Sequence, residues 1–118
     1  MSEINKKIDA FLNCNFSKLG LNCASLGTYY FRELIKLSYF NNLYDTNYKE
    51  LCNLLCTKLN VNVRKVESNI YNSINSVNIN LAKKNFKDIF NIEFDYFYIS
   101  PKKLTILFLN ILNTNFNN

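Results

Sequence analysis

Three observations make the sequence an all-α fold, a bundle of about six helices. Apolar residues recur at helical spacing, as in Ile4, Ile8, Phe11 and Leu12, and again in Val63, Val66, Ile70, Ile74 and Val77. Glycine and proline, which a turn-rich β-fold needs at its corners, number only 2 and 1. The periodic stretches begin and end at Asn, Ser or Gly, the residues that cap helices. At 118 residues, 1–118 has the size of one domain. A hydrophobic content of 48% supplies one core and argues against disorder.

A first helix is expected from about Glu3 to Leu19, stopped by Gly20 in the left-handed conformation. A second begins after Gly27, turns Tyr30, Leu34 and Leu37 inward, and ends near Asn41 and Asn42. Its charged residues Arg32, Glu33 and Lys36 belong outward or on the flanks. Asn47 with Glu50 resembles a capping box, opening a third helix through Tyr48, Leu51, Leu55 and Leu59. After the break at Asn60 to Val63, a fourth helix runs from about Val63 to Val77 with Asn62 as its cap. A short fifth covers Leu81 to Phe90. Ile92 to Ile99 reads locally as a strand but has none to pair with, so an extended segment over the core is expected. Ser100 and Pro101 open a last helix to about Leu112, and the Asn-rich tail should fray.

Asparagine makes up about a fifth of the chain, dispersed among apolar positions, which reads as the imprint of an AT-rich genome rather than a prion-like tract. The net charge of +5 suits a negatively charged partner, nucleic acid first, against the plainer reading of a solvated basic surface. Met1 to Asn15 has no secretory pattern, and the longest apolar run, Leu104 to Leu112, is broken by Thr105 and Asn110. A cytoplasmic protein without membrane contact is expected.

Four cysteines are present, Cys14, Cys23, Cys52 and Cys56, and no histidine. Cys52 and Cys56 share one face of an apolar helix, whereas zinc sites take their pairs from turns and often include His. Buried, reduced thiols without metal or other cofactor are expected, a metal or redox role being the alternative. No Gly-rich phosphate loop and no nucleophile with a base partner appear, so an enzyme is not expected. The acids Glu33, Glu50, Glu67, Asp88, Glu93 and Asp95 are scattered as solvated or capping residues.

Residues from about 47 to 78 form two helices joined by a short break, the pattern of a helix-turn-helix. In that motif the face opposite the buried stripe of the second helix meets the DNA major groove. Opposite Ile70 stand Arg64, Lys65, Ser68, Asn72, Asn75 and Ser76, with Tyr71 at the edge. Arg64 suits guanine or phosphate, Lys65 suits phosphate, and Asn72 can read adenine through paired hydrogen bonds. Any solvated helix face is polar, however, and that is the competing reading.

Gly27-Thr28-Tyr29-Tyr30-Phe31-Arg32-Glu33, then Leu59-Asn60, then Val66-Glu67 and Ile70 resemble the C-terminal effector domain of the stage-zero sporulation protein A family. These are the sporulation response regulators of endospore-forming Firmicutes, and the resemblance spans about Ile4 to Leu112. It implies a six-helix domain that binds short AT-rich DNA boxes as a head-to-tail dimer. The family's receiver domain has no room in 118 residues, so control by receiver phosphorylation within this chain is not expected. Where the family's recognition helix carries two arginines and a histidine, this chain has Ser68, Tyr71 and Asn72. Each lost bidentate pair removes about 1–3 kcal/mol of discrimination.

The leading expectation is a stand-alone DNA-binding transcriptional regulator that reads a different site from the family's. The alternative is a protein-interaction module that keeps the fold, binds DNA weakly and modulates another regulator as a heteromeric partner. A homodimer is expected, in solution or on DNA only, because one short reading helix covers too few base pairs. Leu104, Ile106, Leu107, Phe108, Leu109, Ile111 and Leu112 also exceed what one buried stripe requires, unless that helix is buried all round.

Overall fold

The computed structural model describes residues 2–116, which form six α-helices and no strand. They are α1 (Glu3–Leu19), α2 (Leu26–Phe40), α3 (Tyr48–Leu59), α4 (Val63–Asn75), α5 (Ile79–Phe90) and α6 (Pro101–Phe116), with a single 3-10 turn over Tyr96–Tyr98. The first five starts are capped by Ser2, Ser25, Asn47, Asn62 and Asn78, whose side-chain oxygens accept first-turn backbone N–H groups. Ser100 Oγ does the same for Lys103 N at 3.2 Å. Each cap satisfies a donor that the helix itself cannot.

The ends explain how so many helices close with so little glycine. Gly20 ends α1 at φ 96°, but Asn60 and Asn91 end α3 and α5 at φ 56° and 59°, and Asn42 follows α2 at φ 54°. Asparagine tolerates the left-handed region better than other side chains, so it stands where glycine usually does. The high asparagine content therefore has a structural use at both ends of helices.

Several bounds differ from those expected. α2 starts at Leu26, one residue before Gly27, because Ser25 Oγ accepts from Thr28 N at 3.1 Å. α4 stops at Asn75, short of Val77: Ser76 closes it, and Asn78 N turns away to Gly20 O at 3.1 Å, stitching the α4–α5 corner to the end of α1. α5 starts at Ile79 instead of Leu81, as the Asn78 cap dictates. α6 continues past Leu112 to Phe116, whose ring meets Phe11 edge-on at 5.3 Å. Residues 113–116 thus continue the helix instead of fraying, and the rest of the tail, Asn117 and Asn118, lies outside the described residues. Between α5 and α6, Phe94 and Tyr98 face the Phe86 ring at 5.4 and 5.8 Å, while Tyr96 and Phe97 point outward.

α2 packs most extensively on α4, and α1 on α5, with α6 laid across α2. Phe16 of α1, Phe31 of α2, Phe90 of α5 and Phe108 of α6 form one aromatic cluster, Phe108 lying 5.0 Å from both Phe16 and Phe90. Aliphatic side chains from every helix complete the core. The radius of gyration, 13.4 Å, is what a close-packed chain of this length should have. No described helix is long and apolar enough to cross a membrane.

The charged residues of α2 are less outward than their spacing suggests. Lys36 Nζ lies 2.8 Å from Asp9 Oδ1 and 3.5 Å from Glu33 Oε2, and Arg32 donates to Asn13 Oδ1 at 3.0 Å, tying α2 to α1. The Lys36–Asp9 contact is an ion pair by distance without the alignment of a hydrogen bond.

All four cysteines are free thiols, but only Cys52 is fully buried. Cys14 is exposed, against expectation, because it sits about 200° around α1 from Leu12 and Phe16 on either side of it. It should react with a thiol reagent in the native protein, whereas Cys52 should react only on unfolding. Burial pushes the Cys52 thiol up from 9.0 to about 11, with Glu67 and Cys56 adding to the shift and the Tyr48 hydroxyl opposing it. Burial also raises the Tyr48 phenol. A raised folded-state pKa stabilises fully below the unfolded value and is lost as pH rises through the folded one. Urea midpoints should therefore hold up to about pH 9 and fall towards pH 11; a flat profile across that window would contradict the assignment.

Candidate nucleic-acid interface

α4 is held from one side. Asn62 Oδ1 accepts from Arg64 N at 2.7 Å, fixing where the helix begins, and Val66, Ile70 and Ile74 are buried beneath it. Gly27 lies at its crossing with α2. A Cβ at Gly27 would sit 2.6 Å from the Asn69 carbonyl carbon, and closer still to its oxygen and to Ser73 Oγ, so only glycine lets the helices approach this far. Beside it Ser25 Oγ and Ser73 Oγ are hydrogen-bonded at 2.9 Å.

The other side of α4 is open. Arg64, Lys65, Ser68, Asn72, Asn75 and Ser76 are exposed, as their position opposite Ile70 predicts, and so is Tyr71 at the edge of that face. Among the described residues neither Arg64 nor Lys65 forms an ion pair. Ser76 Oγ is turned back onto Asn72 O at 2.8 Å, which occupies its hydroxyl hydrogen within the helix.

Four of these residues also border a cleft of about 600 Å³ that the spacing alone does not reveal. Val63, Arg64, Glu67, Ser68, Tyr71 and Asn72 line it from α4, and Tyr48 of α3 and Pro101 of α6 close the other side. Lys65 and Asn75 stand on the same exposed face but do not line the cleft. Tyr48 and Pro101 were legible only as helix starts; nothing local says that the starts of α3 and α6 meet beside the middle of α4. The Tyr48 hydroxyl is sequestered beside Cys52 without an aligned hydrogen bond, so the cleft sees its ring. Glu67, half-buried, adds one negative charge to a wall that otherwise carries Arg64.

The chain shows no match when compared with protein-family models, with curated proteins or with solved structures. What the fold and this surface define is an all-helical protein that anchors one helix by its apolar face and offers the polar, cationic face to solvent.

Proposed function

We propose that the chain is a DNA-binding transcriptional regulator that inserts the outer face of α4 into the major groove of double-stranded DNA. The observation that carries this reading is the exposed row Arg64, Lys65, Ser68, Tyr71, Asn72 and Asn75 on a helix anchored from behind. The short turn Asn60 to Asn62 between α3 and α4 is the connection a helix-turn-helix needs. Arg64 and Lys65 hold phosphates or a guanine at the start of the helix, and Asn72 and Asn75 reach base edges further along. The reading includes kinship with the sporulation effector domain, an altered operator, a cytoplasmic setting, dimerisation at least on DNA, and no catalytic role.

Replacing both Arg64 and Lys65 with alanine should weaken binding on every duplex sequence. Each lost phosphate contact lowers the slope of log affinity against log salt by about 0.9, so the pair should lower it by about 1 to 2. Electrophoretic mobility of a DNA duplex at two salt concentrations measures both effects. Unchanged binding by the double variant would favour a second reading, a protein-interaction module that modulates another regulator. The cleft gives that reading its own support, since a concave site with apolar Val63, Tyr48 and Pro101 fits a partner's side chain better than a convex groove floor does.

A further inference from the structure

The cations of α4 are few for a DNA site, and the fold brings more beside them. Pro101 closes the cleft that Arg64, Ser68 and Asn72 line, and the next two residues are Lys102 and Lys103. Lys102 is exposed and borders a groove with Asn47 and Tyr48, so it stands on the same side of the molecule as the α4 cleft. Lys103 Nζ lies 4.8 Å from the centroid of the Phe97 ring. Phe97 and Tyr96, on the turn before α6, are 63% and 67% exposed, and Tyr71 on α4 follows at 56%. Among the described residues these are the three most exposed large apolar side chains, and all are aromatic.

Exposed aromatics occur at protein interfaces too, but lysine is depleted there, so aromatics interleaved with lysines favour an anionic partner. Two of the nearby acids are occupied. Asp95 Oδ1 accepts from Phe97 N at 2.9 Å, and Glu93 is paired with Lys87 at 2.6 Å. Asp45, in the groove that Lys102 borders, and Glu67, in the α4 cleft, are the carboxylates that remain.

We infer that the corner formed by Tyr96, Phe97, Lys102 and Lys103 is a second DNA-contacting element, which grips the sugar-phosphate backbone next to the groove that α4 occupies. This rests on the DNA-binding reading and extends it. Lys102 and Lys103 neutralise phosphates, while Tyr96 and Phe97 lie against the deoxyriboses at the minor-groove edge. The corner supplies positive charge that α4 lacks, and supplies it without sequence preference.

The test is fluorescence anisotropy of a labelled, mixed-sequence, AT-rich duplex titrated with the full chain across a salt series. The Lys102→Gln, Lys103→Gln double variant should lower the salt slope by about 1 to 2, with about tenfold weaker binding per lost contact near 0.1 M salt. Tyr96→Ala with Phe97→Ala should weaken binding several-fold and leave the salt slope unchanged, since no charge is removed. Lys102→Gln alone, at a solvated position, keeps the test open if either double variant fails to fold. Wild-type affinity and slope in these variants, alongside weakened binding by Arg64→Ala, Lys65→Ala, would overturn the corner and leave the α4 reading standing. A wild-type chain that binds no duplex at low salt would overturn both.

Discussion

Replacing Gly27 with alanine should strongly destabilise the protein, although alanine is the better helix former. Gly27 is the second residue of α2, and in a helix interior alanine gains about 0.5–1 kcal/mol over glycine, which is an upper bound for this first-turn position. Against that gain stands the crossing with α4. The added methyl would sit 2.6 Å from the Asn69 carbonyl carbon, and its closest neighbours include α4 backbone, which cannot rotate away as a flexible side chain can. Relief requires α2 and α4 to separate, and this is the most extensive helix pair in the molecule. Separation would open Val66, Ile70 and Ile74 to water and pull Ser25 Oγ from Ser73 Oγ. Overpacking a core position that can adjust costs about 1–3 kcal/mol, and a rigid backbone clash exceeds that range. A domain of ordinary stability has about 5–15 kcal/mol in all. Urea titration followed by circular dichroism measures the effect, and a midpoint at or above wild type would refute this account of the crossing. Because Gly27 fixes how α4 is seated, the variant should also disturb the exposed α4 face on which the proposed DNA-binding reading rests.

The sequence makes most of the helices legible and conceals how they meet. Val66, Ile70 and Ile74 announce the buried face of α4 by spacing alone, and the exposed row of Arg64, Lys65, Ser68, Tyr71, Asn72 and Asn75 follows as its complement. Helix ends were less legible, because Asn78 both caps α5 and bonds to Gly20, a tertiary contact that shortens α4. Phe116 lengthens α6 for the same kind of reason, since its ring has Phe11 to meet. The second wall of the cleft was not legible at all. Tyr48 and Pro101 are 53 positions apart in the numbering, and each has a sufficient local explanation as the first residue of a helix. Gly27 occupies an intermediate place: its position marks the start of a helix, but only the crossing shows why a side chain cannot replace it.

Truncating Phe108 to alanine should be the most damaging change within α6, and comparing it with Ile106 separates the core role of that helix from an interface role. Phe108 is fully buried and touches the rings of Phe16 and Phe90 at 5.0 Å and Phe31 at 6.1 Å, so its loss opens a cavity where four helices converge. Phenylalanine-to-alanine changes in such positions cost about 3–5 kcal/mol, and a site braced by three other rings collapses poorly. That is about a fifth or more of the stability of a typical small domain. Ile106 is two residues away and 47% exposed, beside a shallow groove with Tyr44 and Leu109. Ile106→Lys should leave the urea midpoint within about 0.5 kcal/mol of wild type, as exposed substitutions usually do. If α6 also covers a second copy of the chain, the same change should shift sedimentation at micromolar concentration towards monomer, with or without DNA. A wild-type chain that sediments as a monomer in both conditions removes the dimer and leaves Ile106 as an isolated exposed apolar residue. A wild-type dimer that Ile106→Lys does not disturb would move the interface away from α6.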